Sequence, residues 1–112
     1  MATTSAVRIT VSDEAAARIA ELGMQREFEQ MLDKAKEVVP YLRSIGVTLE
    51  YHPEEEMDPQ VVIWCHRGDT DWEKDTSMSD FTRWKVVTFP PEVCIQFVML
   101  TVYNDEADYD AR

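Results

Sequence analysis

The chain has 112 residues, 45% of them hydrophobic, and a formal net charge of −11, and this length suits one domain rather than two. No apolar run approaches the roughly 18 residues needed to cross a bilayer, and so acidic a surface repels phosphate backbones and anionic lipid. Nucleic acid and membranes are therefore not expected as partners, and we expect a cytoplasmic protein.

The first third of the chain predicts a strand followed by a long helix. Residues 7–12 alternate apolar and polar side chains, which is the period of a half-buried strand. Ser12 stands at an N-cap position before Asp13 and Glu14, so a helix begins there. The helical pattern is interrupted at Gly23 and then continues. Its later part has apolar residues three and four apart, which predicts a buried stripe of Phe28, Met31, Leu32, Ala35, Val38 and Val39.

The middle of the chain predicts a hairpin. Pro40 predicts a kink or break in the long helix, followed by a short turn to Gly46. Residues 47–52 again alternate apolar and polar side chains, which predicts a second strand. The run 61–65 is apolar on both faces, as expected of a central strand. The acidic turn between these two strands makes them a hairpin.

The last third predicts a loop, a helix and a strand. Residues 67–80 have no period and are rich in small polar side chains, which indicates a long exposed loop. Residues 81–89 fit either a short helix or a strand. We predict the helix, because the two prolines that follow break regular structure before a final strand over 95–103. The acidic tail 104–112 is predicted to be disordered.

In chain order these elements are β-α-β-β-α-β, the order of the ferredoxin-like fold. In that fold strands one and three are central in an antiparallel sheet, and both helices cover one face. If residues 81–89 form a strand instead, the alternative is a four- or five-stranded antiparallel sheet with one long helix. Both interpretations predict a single α+β domain over residues 1–103.

The acidic residues are concentrated between the predicted elements. Residues 53–59, 67–80 and 104–112 carry net charges of −4, −3 and −3, which account for ten of the eleven net negative charges. Charges in loops and tails change the rate of association with partners more than they change the stability of the fold. A basic protein partner is therefore expected.

Trp72, in the middle of the acidic loop, is the leading candidate for a contact residue. Three carboxylates accompany it, those of Asp69, Asp71 and Glu73. An exposed indole is an anchor type that is enriched at protein interfaces. The alternative is an indole that folds back onto the core.

Two sets of side chains resemble metal ligands without meeting the requirements of a site. Four acids fall at ligand positions of a twelve-residue calcium loop, namely Asp69, Asp71, Glu73 and Asp80. Lys74 stands where that loop needs glycine. A zinc site could draw on Cys65, His66, Cys94 and His52. Cys65 and His66 are adjacent on a strand and point to opposite faces, so both could bind one ion only with a bulge. No metal and no other cofactor is predicted, and both cysteines are expected to be reduced thiols.

These features predict a non-enzymatic interaction or regulatory module that docks on a basic partner through Trp72 and its neighbouring carboxylates. A homodimer formed through a sheet face or edge is also expected. Two alternatives stay open. A small-ligand or metal-ion sensor would have a deep pocket with converging polar groups, and an enzyme would bring carboxylates together only in the fold.

Overall fold

A computed structural model describes residues 7–52, 57–68 and 76–102, which form an α+β domain of four strands and four helices. The strands are β1 (Arg8–Val11), β2 (Leu42–His52), β3 (Met57–Arg67) and β4 (Phe97–Val102). The helices are α1 (Asp13–Leu22), α2 (Gln25–Val38), α3 (Ser77–Thr88) and α4 (Pro91–Cys94). None of these described helices is long and apolar enough to cross a membrane.

The strands form one mixed sheet in the order β1-β2-β3-β4. β1 pairs parallel to β2, β2 pairs antiparallel to β3, and β3 pairs parallel to β4. The predicted hairpin is therefore confirmed, and it joins two units in which helices connect parallel strands. The ferredoxin-like order is not confirmed, and the expectation of an antiparallel sheet is wrong. β2 and β3 are central because each helical connection returns the chain to the strand beside the one it left.

The local signals at the start of the chain correspond to real helix ends. Ser12 Oγ accepts a hydrogen bond from Ala15 N at 3.1 Å, which caps α1. Gly23 ends α1 with a φ of 70°, a left-handed conformation that glycine adopts at little cost. α2 ends just before Pro40, so the helix breaks there. The predicted turn to Gly46 is wrong, because β2 already begins at Leu42.

The ambiguous segment 81–89 is helical, as we predicted, since α3 spans Ser77–Thr88. Trp84 of this helix packs against Phe81, with 5.6 Å between ring centroids, and meets Phe89 edge-on at 5.3 Å. These aromatic contacts fix the end of the helix, so the strand propensity of its valines does not decide the local structure. The alternative fold with one long helix is therefore wrong.

The main core lies between the helices and one face of the sheet. Alternate strand residues point into it, namely Ile45, Val47, Val61, Ile63, Cys65, Phe97 and Met99. From α2 the predicted stripe supplies Phe28, Met31, Ala35 and, just after the helix, Val39, all buried. Leu32 and Val38 are only partly buried at its rim. Phe28 stacks on Phe97 with 6.2 Å between ring centroids, which places that ring pair between α2 and β4.

Candidate functional site

The residues that the sequence singles out for an interaction lie outside the described parts of the chain. Trp72, Asp69, Asp71 and Glu73 all belong to residues 69–75, and the acidic tail 104–112 follows β4. Their roles stay predictions. The elements on either side are described, because β3 ends at Arg67 and α3 begins at Ser77.

The two thiols are held inside the helix-covered side of the domain. Cys65 is fully buried in β3, and desolvation raises the pKa of its thiol to about 12. Cys94 Sγ lies 3.3 Å from the carbonyl oxygen of Lys85 and 3.5 Å from that of Phe89. Among the described residues, no three His, Cys, Asp or Glu side chains gather closely enough to hold a metal ion.

Lys85 is a buried lysine that sequence reasoning missed. Its Nζ donates hydrogen bonds to the carbonyl oxygens of Phe97 at 2.6 Å and Cys94 at 3.2 Å. Burial lowers the pKa of its ammonium group, while the nearby Cys94 opposes that change. Because the acceptors are the backbone carbonyls of Cys94 and Phe97, Lys85 ties α3 to the end of α4 and to the start of β4. A lysine between a tryptophan and two valines gives no sequence signal for this role.

A shallow depression of about 400 Å³ lies on the outer side of α3. Its lining residues are Met78, Ser79, Thr82 and Arg83. All four belong to one helix, so the depression does not bring polar groups together from different elements, as ligand and active sites do. It is a feature of the surface of α3, and it does not favour a sensor or an enzyme.

The second face of the sheet, here called the open face, carries its own apolar cluster. The strand register places five residues on this face, which we call the apolar patch: Val62, Trp64, Val98, Leu100 and Val102. Val62 is only 5% exposed, yet it does not belong to the main core cluster. The helical residues of that cluster all pack with the opposite face, so no described helix covers the apolar patch.

The neighbouring half of the open face, on β1 and β2, is polar. The register places Arg8, Thr10, Ser44, Thr48 and Glu50 there. Trp64 Nε1 donates to Thr48 Oγ1 at 2.9 Å, and Thr48 Oγ1 donates to Glu50 Oε2 at 2.8 Å. These bonds hold the indole in one orientation, with its N–H satisfied by the adjacent strand.

Two acidic segments follow the strands that carry the apolar patch. β3 and β4 are parallel and end side by side, with His66 opposite Val102. Residues 69–75 come soon after the end of β3 and residues 103–112 directly after β4, each with a net charge of −3. The chain therefore leaves this end of the sheet twice, each time toward a strongly acidic segment.

No protein-family model matches this chain, and neither does a curated protein or a solved structure. Likeness to another protein therefore supplies no function. A function is inferred from the geometry and apolar side chains of the open face and from the acidic sequence that follows its strands.

Proposed function

We propose that this protein is a non-enzymatic interaction module that binds a basic protein segment on the open face of its sheet. The observation that carries the proposal is the apolar patch around Trp64, which lies opposite the main core. The strands of a sheet with one solvated face normally alternate apolar and polar residues along their sequence. β3 and β4 instead place apolar side chains on both sides. Val62 is nearly buried, whereas Trp64, Val98, Leu100 and Val102 are partly exposed, and partly exposed apolar side chains outside a core are suited to contact a partner.

Trp64 is the side chain that we assign as the anchor of this surface. Tryptophan is enriched among the residues that dominate interface energies, because it contributes a large contact area for few rotatable bonds. The hydrogen bond to Thr48 already orients the indole, so binding costs little additional side-chain entropy. Val62 and Leu100 adjoin it on the same face and would exclude water from around the contact.

The charge of the two segments that follow β3 and β4 in the sequence supports a basic partner. Residues 69–75 and 103–112 are both acidic and both follow strands of the apolar patch. Such charges attract a cationic segment at long range and raise its association rate. Trp72 lies within the first of these segments and is the second aromatic contact that we propose.

The buried thiol of Cys65 and the buried ammonium of Lys85 lie away from this surface, which supports binding rather than nucleophilic chemistry by these groups there. Cys65 points into the main core, and the Lys85 ammonium bonds to backbone carbonyls on the side of α3. The open face presents hydroxyl groups, the charged side chains of Arg8 and Glu50, His66 and apolar side chains. We therefore propose no reaction and no cofactor.

The test is a selection of peptides followed by variants of Trp64. A random peptide library displayed on phage and selected at low salt should yield sequences that combine Lys or Arg with a bulky apolar residue. Trp64→Ala should weaken binding of such a peptide by about 30-fold, equivalent to about 2 kcal/mol. Trp64→Phe, which keeps an aromatic ring, should lose much less. Isothermal titration calorimetry measures all three affinities.

Thr10→Ala is the matched control, because Thr10 is exposed on the polar half of the same face. This variant should bind the peptide as tightly as the wild type. The melting temperature of each variant shows that it is folded. Selection of no basic peptide, or equal affinity of Trp64→Ala and the wild type, would rule the open face out as the binding surface.

The acidic segment 69–75 should raise the association rate of a basic partner. Changing Asp69, Asp71 and Glu73 to their amides should slow association of the selected peptide several-fold at low salt and leave the melting temperature nearly unchanged. The slowing should disappear at high salt, because added ions screen exposed charges. Stopped-flow measurements of the association rate check this, and a rate that is the same with and without the three charges contradicts it.

A further inference from the structure

Gly46 lies in the middle of the central strand β2, at a position where neither backbone conformation nor packing requires glycine. Its φ is not in the left-handed region. Among the described residues, a Cβ added to Gly46 would meet only Thr10 Oγ1, at 3.8 Å. Glycine weakens the interior of a strand and often marks a place where a ligand approaches the backbone closely. The space above Gly46 is therefore open, although an alanine side chain would fit there.

The indole of Trp64 lies beside this space without filling it. Gly46 and Trp64 are directly opposite each other on β2 and β3, and both lie on the open face. The hydrogen bond from Trp64 Nε1 to Thr48 Oγ1 turns the indole toward the next open-face residue of β2. No atom of Trp64 comes within 4 Å of a Cβ built on Gly46. We call this open space above Gly46, with the indole beside it, the Gly46 notch.

A carboxylate lies at one end of the Gly46 notch and a guanidinium at the other. Glu50 Oε2 accepts from Thr48 Oγ1 at 2.8 Å, which draws the carboxylate along β2 toward the Trp64 indole. Glu50 is only partly exposed, and no lysine or arginine of the described residues pairs with it. Arg8 is opposite Ser44, which precedes Gly46 by two residues. The charge of the open face therefore changes sign across the Gly46 notch.

We propose that the Gly46 notch binds one arginine side chain of the basic partner. This inference rests on the proposed function and adds a specific subsite to it. The aliphatic stem of the arginine lies on the backbone of Gly46, its guanidinium stacks on the Trp64 indole, and two of its N–H groups donate to the Glu50 carboxylate. Thr48 is two strand residues from Gly46, about 7 Å, which an extended arginine side chain can span.

The chemistry of these groups favours arginine over other side chains. A planar guanidinium can stack on an aromatic face and bind a carboxylate with two hydrogen bonds, whereas the ammonium of lysine is a strongly hydrated point charge. Glu50 Oε2 can accept both bonds, because each carboxylate oxygen has two lone pairs. An apolar side chain would cover the Glu50 carboxylate without giving it a partner. Arg8 repels a guanidinium that points the opposite way along β2.

Citrulline substitution in a bound peptide tests the charge of the proposed contact. Citrulline replaces the guanidinium by a neutral urea of nearly the same shape. In the tightest-binding peptide from the phage selection, citrulline at one arginine should weaken binding at least about tenfold, because a charge-assisted hydrogen bond is lost. Lysine at that position should weaken it at least about threefold. Isothermal titration calorimetry measures these affinities.

Glu50→Gln identifies the group that binds this arginine. The amide oxygen can still accept from Thr48 Oγ1, so the variant removes the charge and keeps the orientation of the indole. Glu50→Gln should weaken binding of the arginine peptide about tenfold, and citrulline should then cost less than about threefold. Asp33→Asn is the matched control, because it removes the same charge from an exposed residue of α2, on the helix-covered side of the sheet. Citrulline should keep its full effect there.

Gly46→Ala tests whether the notch itself is occupied. The added methyl makes only an ordinary contact, and alanine loses less backbone entropy on folding than glycine, so the melting temperature should stay the same or rise. The methyl takes the place of the arginine stem, so binding should weaken at least about fivefold. The proposed arginine lies between Gly46 and Glu50 and does not contact Thr10, so Thr10→Ala remains a control.

The possible outcomes separate this subsite from docking on the open face. Suppose that peptides bind through Trp64, but that citrulline costs as much in Glu50→Gln as in the wild type, or that Gly46→Ala binds as tightly as the wild type. The arginine subsite is then wrong, while docking on the open face stands. A selection that yields lysine-rich peptides without arginine has the same meaning. If no basic peptide binds the open face, both proposals are wrong.

Discussion

Phe97→Ala should lower the free energy of unfolding by about 3–5 kcal/mol, the largest stability change that we expect from one substitution. Phe97 is fully buried on β4 and stacks on Phe28 of α2. Its removal costs the transfer free energy of the ring and leaves a cavity between sheet and helix, because neither element can close the gap alone. Urea unfolding followed by circular dichroism measures the change.

Two other alanine variants give smaller expected losses of stability with which Phe97→Ala can be compared. Leu32 lies at the rim of the core, so Leu32→Ala should cost about 2 kcal/mol, near the lower end for buried leucines. Val87→Ala should be nearly neutral, because its side chain is mostly in solvent. If Phe97→Ala were no more destabilising than Val87→Ala, the packing of α2 on β4 described above would be wrong.

Cys65 should be almost unreactive in the folded protein. Burial raises its thiol pKa from 9.0 to about 12, and only the thiolate attacks alkylating reagents. At pH 8 its labelling by iodoacetamide should therefore be about a thousandfold slower in the folded than in the unfolded chain. Mass spectrometry of a Cys94→Ser variant isolates the signal, and the reaction in urea is the control. Rapid labelling without denaturant would contradict the burial of Cys65.

The same raised pKa predicts a pH dependence of stability. The folded state holds the Cys65 proton more tightly than the unfolded state, so this contribution to stability is complete below about pH 9 and is lost as the pH rises toward 12. The stability difference between the wild type and Cys65→Ala should shrink over that range. A difference that stays constant from pH 8 to 11 would contradict the assignment.

The local elements could be predicted because their signals are carried by neighbouring residues. Ser12 accepts from the backbone three residues later, Gly23 adopts the left-handed conformation that its sequence position suggests, and the α2 stripe has a regular spacing. The sheet order could not be predicted in this way. Whether β1 pairs with β2 or β3 depends on contacts between residues far apart in the chain, which no local pattern encodes.

The candidate surface was visible in the sequence only in part. The runs 61–65 and 95–103 are apolar on both sides, and we interpreted the first as a central strand covered on both faces. In the fold, the described helices cover only one of these faces, so Trp64 belongs to a second, separate cluster. Periodicity shows that a strand has two apolar sides, but it does not show what covers the second one.

The measurement that tests the central claim most directly is a nuclear magnetic resonance titration of methyl-labelled protein with a selected basic peptide. Neighbouring residues of β3 serve as internal controls, because Val62 points to the open face while Val61 and Ile63 point into the main core. Docking on the open face predicts that the methyl signals of Val62 and Leu100 and the indole N–H of Trp64 shift on binding. The signals of Val61 and Ile63 should move far less. A saturated complex whose shifts are confined to helix and core residues, with the Trp64 indole unchanged, would contradict the proposed function.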